Sequence, residues 1–326
     1  MRVAINGFGR IGRSVLKIAL KKGVNVVAIN NSHGAEDSEY LLMHDSIYGP
    51  FEQKVTSKKD SLFIGKKKII VLGERDPSKL PWKKLKVDVV IDATGAFTDK
   101  QSLSMHLEAG AKKVIVTAPA KNPDIVVVPG VNDKDLKKNH KIISVASCTT
   151  NALAPITKIL HDNFEVKSEL MTTIHAYTDN QNLLGGSHKN RRRGRAAALN
   201  LIPTSTGAST AVESVLPQLK GNISGLAVRV PVAIVSLVDI VAELKKPFTV
   251  DKVKSVLKKA AKGKYKGIVS YTEEDLVSSD FIGNSNSSIV DGLSIQKSGN
   301  LVKVLTWYDN EYGYSNRVVD VLKRLR

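Results

Sequence analysis

The sequence predicts an α/β protein in two parts: a doubly wound, mainly parallel sheet domain, then an α+β domain whose sheet is mostly antiparallel. Three observations carry this. The chain has 326 residues, enough for two domains that each bury a core. Its first half alternates short β-branched runs with segments of helical spacing, the pattern of strands covered on both faces by helices. Past residue 148 the strands lengthen and several alternate apolar with polar residues, as antiparallel strands with one covered face do.

In chain order, residues 3–6 read as a strand. Residues 10–22 set Ile11, Val15, Ile18 and Ala19 on one helical face, and 24–30 form a second apolar strand. Further strands are expected at 87–92, 114–117, 125–128 and 142–146, and a helix at 149–164. Residues 170–174, 225–229, 234–244 and 302–307 read as the longer strands, and 250–261 as a helix. Val318, Val319, Leu322 and Leu325 give a closing helix over 316–326. The Gly, Ser and Asn clusters at 185–187 and 284–288 are loops. The expected division is a first domain over 1–147 completed by a terminal helix at 312–326, and a second over 148–311.

Composition narrows the class. Hydrophobic residues make up 42% and charged residues 25%, ordinary values for a soluble globular chain. The longest apolar runs are far too short to cross a bilayer, so no membrane partner is expected. The N-terminus lacks the apolar core of a signal peptide. A single cysteine excludes an intrachain disulfide and fits a reducing, cytoplasmic setting. The net charge of +18 comes largely from lysine pairs scattered along the chain, and reads mainly as a solvated surface. A sharper reading is attraction of anions, either phosphorylated substrates or nucleic acid; with no aromatic-interleaved basic platform the latter is at most a secondary contact, and with no zinc-ligand spacing no metal site is expected.

Gly7-Phe8-Gly9-Arg10-Ile11-Gly12 follows a strand and opens a helix, the context in which a G-x-G-x-x-G loop cradles a pyrophosphate. Gly7 allows the tight turn, Gly9 lets backbone approach the phosphates, and Gly12 lets helix pack on strand. The helix start adds free N–H groups and positive partial charge. This makes the first domain a Rossmann dinucleotide-binding domain and the second its α+β catalytic partner. The second strand should end in an acid for the adenosine ribose, yet it ends in Asn30-Asn31-Ser32-His33. Without that carboxylate a barrier to the 2′-phosphate of NADP is gone, Ser32 can donate to it, and His33 can add charge. NAD or NADP is therefore the expected cofactor.

Cys148 lies between a strand and a helix, flanked by Ser147 and Thr149 rather than bulky apolar residues. A helix start lowers a thiol pKa, which argues for a nucleophile over a buried filler. His175 ends the strand at 170–174, where an imidazole could pair with the sulfur and accept a proton.

These residues sit in motifs that resemble one family. INGFGRIGR (5–13), SCTTN (147–151), HAYT (175–178), PTSTGA (203–208), RVP (229–231) and WYDNEYGYSNRVV (307–319) are similar, in order and spacing, to the phosphorylating glyceraldehyde-3-phosphate dehydrogenases. The resemblance implies a homotetramer in which Cys148 attacks an aldehyde and His175 is its base. It implies cofactor contacts at Arg10, Ile11, Asn31, Arg75, Thr117 and Asn310. It further implies a substrate-phosphate site at Thr178 and Arg229, and a site for inorganic phosphate at Ser147, Thr149, Thr206 and Gly207, with Arg195 assisting. NAD-using members usually carry Asp, Leu and Pro where this chain has Asn31, Ser32 and Ser187, and all three changes point toward NADP acceptance. Asp179-Asn180 and Val232-Ala233-Ile234 also depart from the family pattern. Two alternatives are weighed. Erythrose-4-phosphate dehydrogenase is disfavoured by Thr178 and Thr206-Gly207, and a purely polyanion-binding protein by the intact Cys148 and His175.

Overall fold

The structure, a computed structural model, describes residues 1–325. Its backbone separates into two compact units: Met1–Val127, Lys134–Ala146 and the chain from Ser315 onward form the first, and Val128–Asp133 with Ser147–Tyr314 the second. Two stretches depart from the expected division. Val128–Asp133 groups with the second unit, where Gly130, at φ 83°, lies tightly against Ile268 and Tyr265. The first turn of the last helix also groups there, because Gly313 packs on the Asn286 carbonyl.

The first unit holds strands β1 (Arg2–Asn6), β2 (Asn25–Asn30), β3 (Val55–Ser57), β4 (Ser61–Ile64), β5 (Lys67–Leu72), β6 (Val89–Asp92), β7 (Lys113–Val116), β8 (Ile125–Val126) and β9 (Ile142–Ser144). They form one sheet in the order β3-β4-β5-β2-β1-β6-β7-β9-β8. The β3–β4 and β4–β5 pairs are antiparallel; the other pairings are parallel. Its helices are α1 (Arg10–Lys21), α2 (Gly34–Met43) and α3 (Lys100–Glu108). Helix α1 buries Val15, Leu16, Ile18 and Ala19, the face its spacing predicts. Because β1 lies between β2 and β6, the winding reverses at its C-terminal end, which is where ligands bind in such sheets.

A buried polar chain backs this point. Trp82 Nε1 donates to His106 Nδ1 (3.0 Å), so His106 Nε2 carries the proton that reaches Asp92 (3.1 Å). Asn6 Nδ2 donates to the same carboxylate (2.8 Å), and Asn30 Nδ2 donates to Asn6 Oδ1 (2.7 Å). Each polar group finds a partner in a region closed to water, which avoids the cost of an orphaned donor.

The second unit begins with α4 (Cys148–Phe164) and β10 (Val166–Ala176), then β11 (Ile202–Ser205), α5 (Ala208–Val215), β12 (Ile223–Val230), β13 (Ser236–Leu244), α6 (Val250–Lys262), β14 (Val269–Thr272), β15 (Ser288–Ser298) and β16 (Leu301–Tyr308). The final helix, α7, spans Tyr312–Arg324; residue 326 of the expected helix lies outside the described residues. The sheet runs β11-β12-β10-β13-β16-β15-β14. It is mostly antiparallel, but β10–β12 and β14–β15 pair in parallel. The parallel register sets His175 opposite Arg229. Helix α4 packs on β10, β13, β15 and β16 and is buried along most of its length.

Glu169 on β10 is buried without a cation. Thr157 of α4 donates to its Oε1 (2.9 Å), and Oε2 has no partner among the described residues. Burial raises its pKa from 4.5 to about 7, with the Thr157 bond opposing. Between these values the folded chain keeps a proton that the unfolded chain has lost. Stability from the protonated form is therefore complete below 4.5 and declines as pH rises through about 7, by about 3 kcal/mol. Glu169→Gln is expected to leave the melting temperature near pH 5 almost unchanged and to raise it at pH 8. Melting curves across that range check this, and equal effects at both ends would refute it.

Candidate active site

In the first unit, the loop after β1 is built on close backbone approach. Gly7 has φ 90°, and a Cβ there would lie 2.7 Å from the Thr94 nitrogen. A Cβ on Gly12 would run into the Gly7 carbonyl oxygen. Gly9, the N-cap of α1, faces open space. That combination leaves open space at a helix start, where backbone N–H groups can meet phosphates.

Beside it lies a cleft of about 310 Å³ lined by Asn6, Gly7, Asn30, Asn31, Ser32, Glu74, Arg75 and Thr94, with Phe97 at one wall. Of the expected contacts, Gly7, Asn31, Ser32 and Arg75 line it directly. Arg10 and Ile11 open α1, and the Arg10 guanidinium is shared with Asp45 (3.5 Å) and the Tyr48 ring. Thr117 follows β7, its N–H donating to the Asp92 carbonyl. Ser187 and Asn310 belong to the second unit. Asn6, Asn30, Glu74 and Thr94 escaped the sequence reading. Thr94 carried a signal, a Thr-Gly pair directly after an apolar strand; its hydroxyl donates to Asp92 (2.7 Å).

In the second unit, helix α4 begins at Cys148 itself, one residue earlier than expected. Ser147 caps it, accepting from the Thr150 N–H (3.0 Å). Sγ lies 3.5 Å from His175 Nε2 and 4.0 Å from the Thr149 hydroxyl. His175 Nδ1 lies 2.7 Å from the Ala176 carbonyl. A proton donated there leaves Nε2 bare toward the sulfur, the tautomer a base requires. Arg229 Nη1 donates to the same carbonyl (2.8 Å) and sits 2.5 Å from Nδ1, while Nε of Arg229 is buried with no partner among the described residues.

The expectation that the helix start lowers the Cys148 pKa needs correction. Burial pushes the thiol up, and the Arg229 charge and the Thr149 hydrogen bonds oppose it without prevailing. Burial, then Arg229, pushes His175 down to about 3. The pair thus rests as neutral thiol and neutral imidazole, joined by the contact through which one proton can pass.

Around them, Tyr308 presents its ring edge to His175 (6.0 Å), and its hydroxyl bonds the Thr149 and Thr173 hydroxyls, both at 2.9 Å. Burial pushes that phenol well above its usual range, so it stays a neutral donor. Ser236 donates to Asn310 Oδ1 (3.0 Å) and accepts from the Ala176 N–H (3.2 Å), tying Asn310 to the end of β10. Just before it, Val235 adopts φ 69°, a strained conformation for a β-branched residue. Tyr308 and Ser236 are further residues that sequence reasoning did not single out.

The structure joins Cys148, Thr149, His175 and Arg229 by contact. Ser147 spends its hydroxyl on the helix cap. Thr178 lies on the loop after β10, its N–H donating to Gln181 (3.3 Å). Thr206 and Gly207 lie between β11 and α5, and Arg195 is exposed on the loop preceding β11. In the basic run Arg193 is the structural member, bonded to Thr204, Asn180 and the Ser205 carbonyl.

A dinucleotide fold together with a cysteine–histidine pair beside a buried, partly unpaired arginine defines a nicotinamide-dependent oxidoreductase. Comparison with known proteins agrees. Residues 1–100 match the family model described as glyceraldehyde 3-phosphate dehydrogenase, NAD binding domain, and 147–310 that of the C-terminal domain. The chain is 53% identical over 324 residues to a glyceraldehyde-3-phosphate dehydrogenase of Priestia megaterium, covering 98% of this chain and 97% of that one. It is 52% identical, with the same coverage, to that of Geobacillus stearothermophilus, and 50% identical over 329 residues to glyceraldehyde-3-phosphate dehydrogenase 1 of Kluyveromyces lactis, covering all of this chain and 99% of that one. The chain belongs to the glyceraldehyde-3-phosphate dehydrogenase family.

The glycines separate folding from binding. Gly12→Ala should lower the melting temperature by several degrees, because its Cβ meets backbone. Gly9→Ala should leave melting unchanged, since φ is −70° and the space is open, yet weaken NAD binding about tenfold or more by filling the approach to the pyrophosphate. Calorimetric titration beside melting curves distinguishes them, and unaltered NAD affinity in Gly9→Ala would count against the cradle.

Proposed function

We propose that this chain oxidises glyceraldehyde 3-phosphate, with inorganic phosphate and NAD, to 1,3-bisphosphoglycerate, a reversible step that serves glycolysis forward and gluconeogenesis in reverse. The observation that carries the reading is the Sγ–Nε2 contact of 3.5 Å, backed by Arg229. Cys148 Sγ attacks the aldehyde carbon; His175 Nε2 takes the thiol proton and returns it to the carbonyl oxygen, giving a thiohemiacetal and a bare Nε2. When bound, the dinucleotide supplies the acceptor for the hydride. His175 accepts the hydroxyl proton as the same carbon becomes a thioester. Inorganic phosphate then attacks the thioester, and Cys148 leaves as the acyl phosphate departs.

Arg229, with its unpartnered Nε, and Thr178 suit the substrate phosphate. Burial is the larger cause that holds His175 down; an anion there offsets the second, the Arg229 charge, and so raises the proton affinity of the base. The backbone at the start of α4, Ser147, Thr149, Thr206 and Gly207, with Arg195 nearby in sequence to the basic loop, suit the attacking phosphate. Arg10, Ile11, Asn31, Ser32, Arg75, Thr117, Ser187 and Asn310 hold the dinucleotide, with Asn310 on the nicotinamide carboxamide. NADP is accepted too, in keeping with Asn31, Ser32 and Ser187. The dinucleotide domain is 1–147 with the terminal helix, less 128–133, Ser147 and the first turn of that helix, which go with the second domain.

The working form is a homotetramer. Leu170 and Leu226 on neighbouring strands, and Leu183, Leu184, Leu199 and Leu201 on the loop between β10 and β11, stand exposed, an apolar surface that another copy would cover. The setting is cytoplasmic; among the described residues no helix is long and apolar enough to cross a membrane.

Purified protein given glyceraldehyde 3-phosphate, NAD and phosphate should form acyl phosphate, and far less from erythrose 4-phosphate. A clear preference for the four-carbon aldehyde would overturn the substrate assignment. His175→Asn should lower kcat by about 10²- to 10⁴-fold and slow alkylation of Cys148 at neutral pH. Unchanged alkylation in that variant would remove the histidine from its role.

A further inference from the structure

The strand-end acid that separates NAD from NADP is absent here, yet a carboxylate stands directly behind the residue that replaced it. Asn31 Nδ2 donates to Asp37 Oδ2 (3.1 Å) and to Ser38 Oγ (2.8 Å), and Asn31 Oδ1 accepts from the His33 N–H (3.2 Å). Ser38 is itself fixed by donating to the Gly34 carbonyl (2.6 Å). Both amide protons are therefore committed, and a carboxylate can take only a proton donor, so the amide has one orientation. Asn31 can offer a ribose hydroxyl only its carbonyl oxygen. That oxygen is an acceptor, as the missing acid would have been, and a charge-assisted bond on the nitrogen side makes it more negative.

Resting on the dehydrogenase reading above, we propose that Asp37 is the coenzyme-selecting residue of this chain. Acting through the Asn31 amide, its carboxylate does the work of the acid missing from the end of β2 and favours NAD over NADP. The ribose hydroxyls of NAD gain an acceptor, while a 2′-phosphate meets negative charge at short range. The basic groups at this rim are Arg75 and His33, the latter exposed beside Ser32. Arg75 lines the cleft, but Glu74 lines it beside Arg75. Glu36, in the same first turn of α2, adds a further negative charge on the exposed side. NADP is thus admitted but held more weakly.

The test is calorimetric titration of NAD and of NADP into the full chain and three variants. The wild-type chain is expected to bind NAD at least about tenfold tighter than NADP. Asp37→Asn keeps an acceptor for Asn31 and loses the charge; Asp37→Ala loses both. Each should narrow the ratio about tenfold, chiefly through tighter NADP binding, whereas mere disruption of the turn would weaken both ligands together. Glu36→Gln, which removes a charge one residue away, should leave the ratio within about twofold. An unchanged ratio in both Asp37 variants, parallel weakening of the two ligands, or an equal effect of Glu36→Gln would overturn the assignment. If the wild-type chain forms acyl phosphate while any of these holds, the selecting role alone fails. If it binds neither dinucleotide, the dehydrogenase reading fails with it.

Discussion

One guanidinium group governs the chemistry available in the second unit. Arg229 reaches His175 because β10 and β12 pair in parallel register, which sets the two residues side by side. A slip of one residue would turn His175 to the opposite face of the sheet and dissolve the site. Held in place, Arg229 and the imidazole share the Ala176 carbonyl, and the ring points its other nitrogen at Cys148. Burial, and after it the same positive charge, keep the ring unprotonated.

The surrounding residues serve that arrangement by staying neutral and fixed. Tyr308 holds two threonine hydroxyls and closes one side of the imidazole. Ser236 joins the end of β10 to Asn310, so the residue suited to a carboxamide is anchored to the strand that carries the base. In the first unit the logic is parallel. Glycines 7 and 12 bring backbone to backbone at distances no side chain permits, and the chain from Trp82 through His106 and Asp92 to Asn6 and Asn30 supports the floor of the cleft with satisfied polar groups.

The fold was legible where a signal was local and repeated. The parallel strands announced themselves as β-branched runs, α1 and α4 by their apolar spacing, and the change of sheet type by alternation in β13 and β16. Several elements were not legible, the eleven-residue β15 among them, although the brief β8 and β9 were. Helix α2 carries polar residues through most of its length, β3 to β5 are brief and amphiphilic, and α5 spans only eight residues. Such segments take their conformation from what they pack against, and local pattern carries little of that information.

The sequence alone determined the glycine loop, the cysteine at a helix start and the histidine at a strand end, because each depends on a few consecutive residues and their backbone geometry. Tertiary structure alone decided what those residues experience. Asn31 looked like a missing acid until Asp37 and Ser38 were seen on its amide. Cys148 looked like a thiol ionised by a helix dipole until burial proved the larger effect. Proton affinities and hydrogen-bond orientation depend on charges and solvent exclusion contributed by distant segments, and only the folded chain brings those segments within reach.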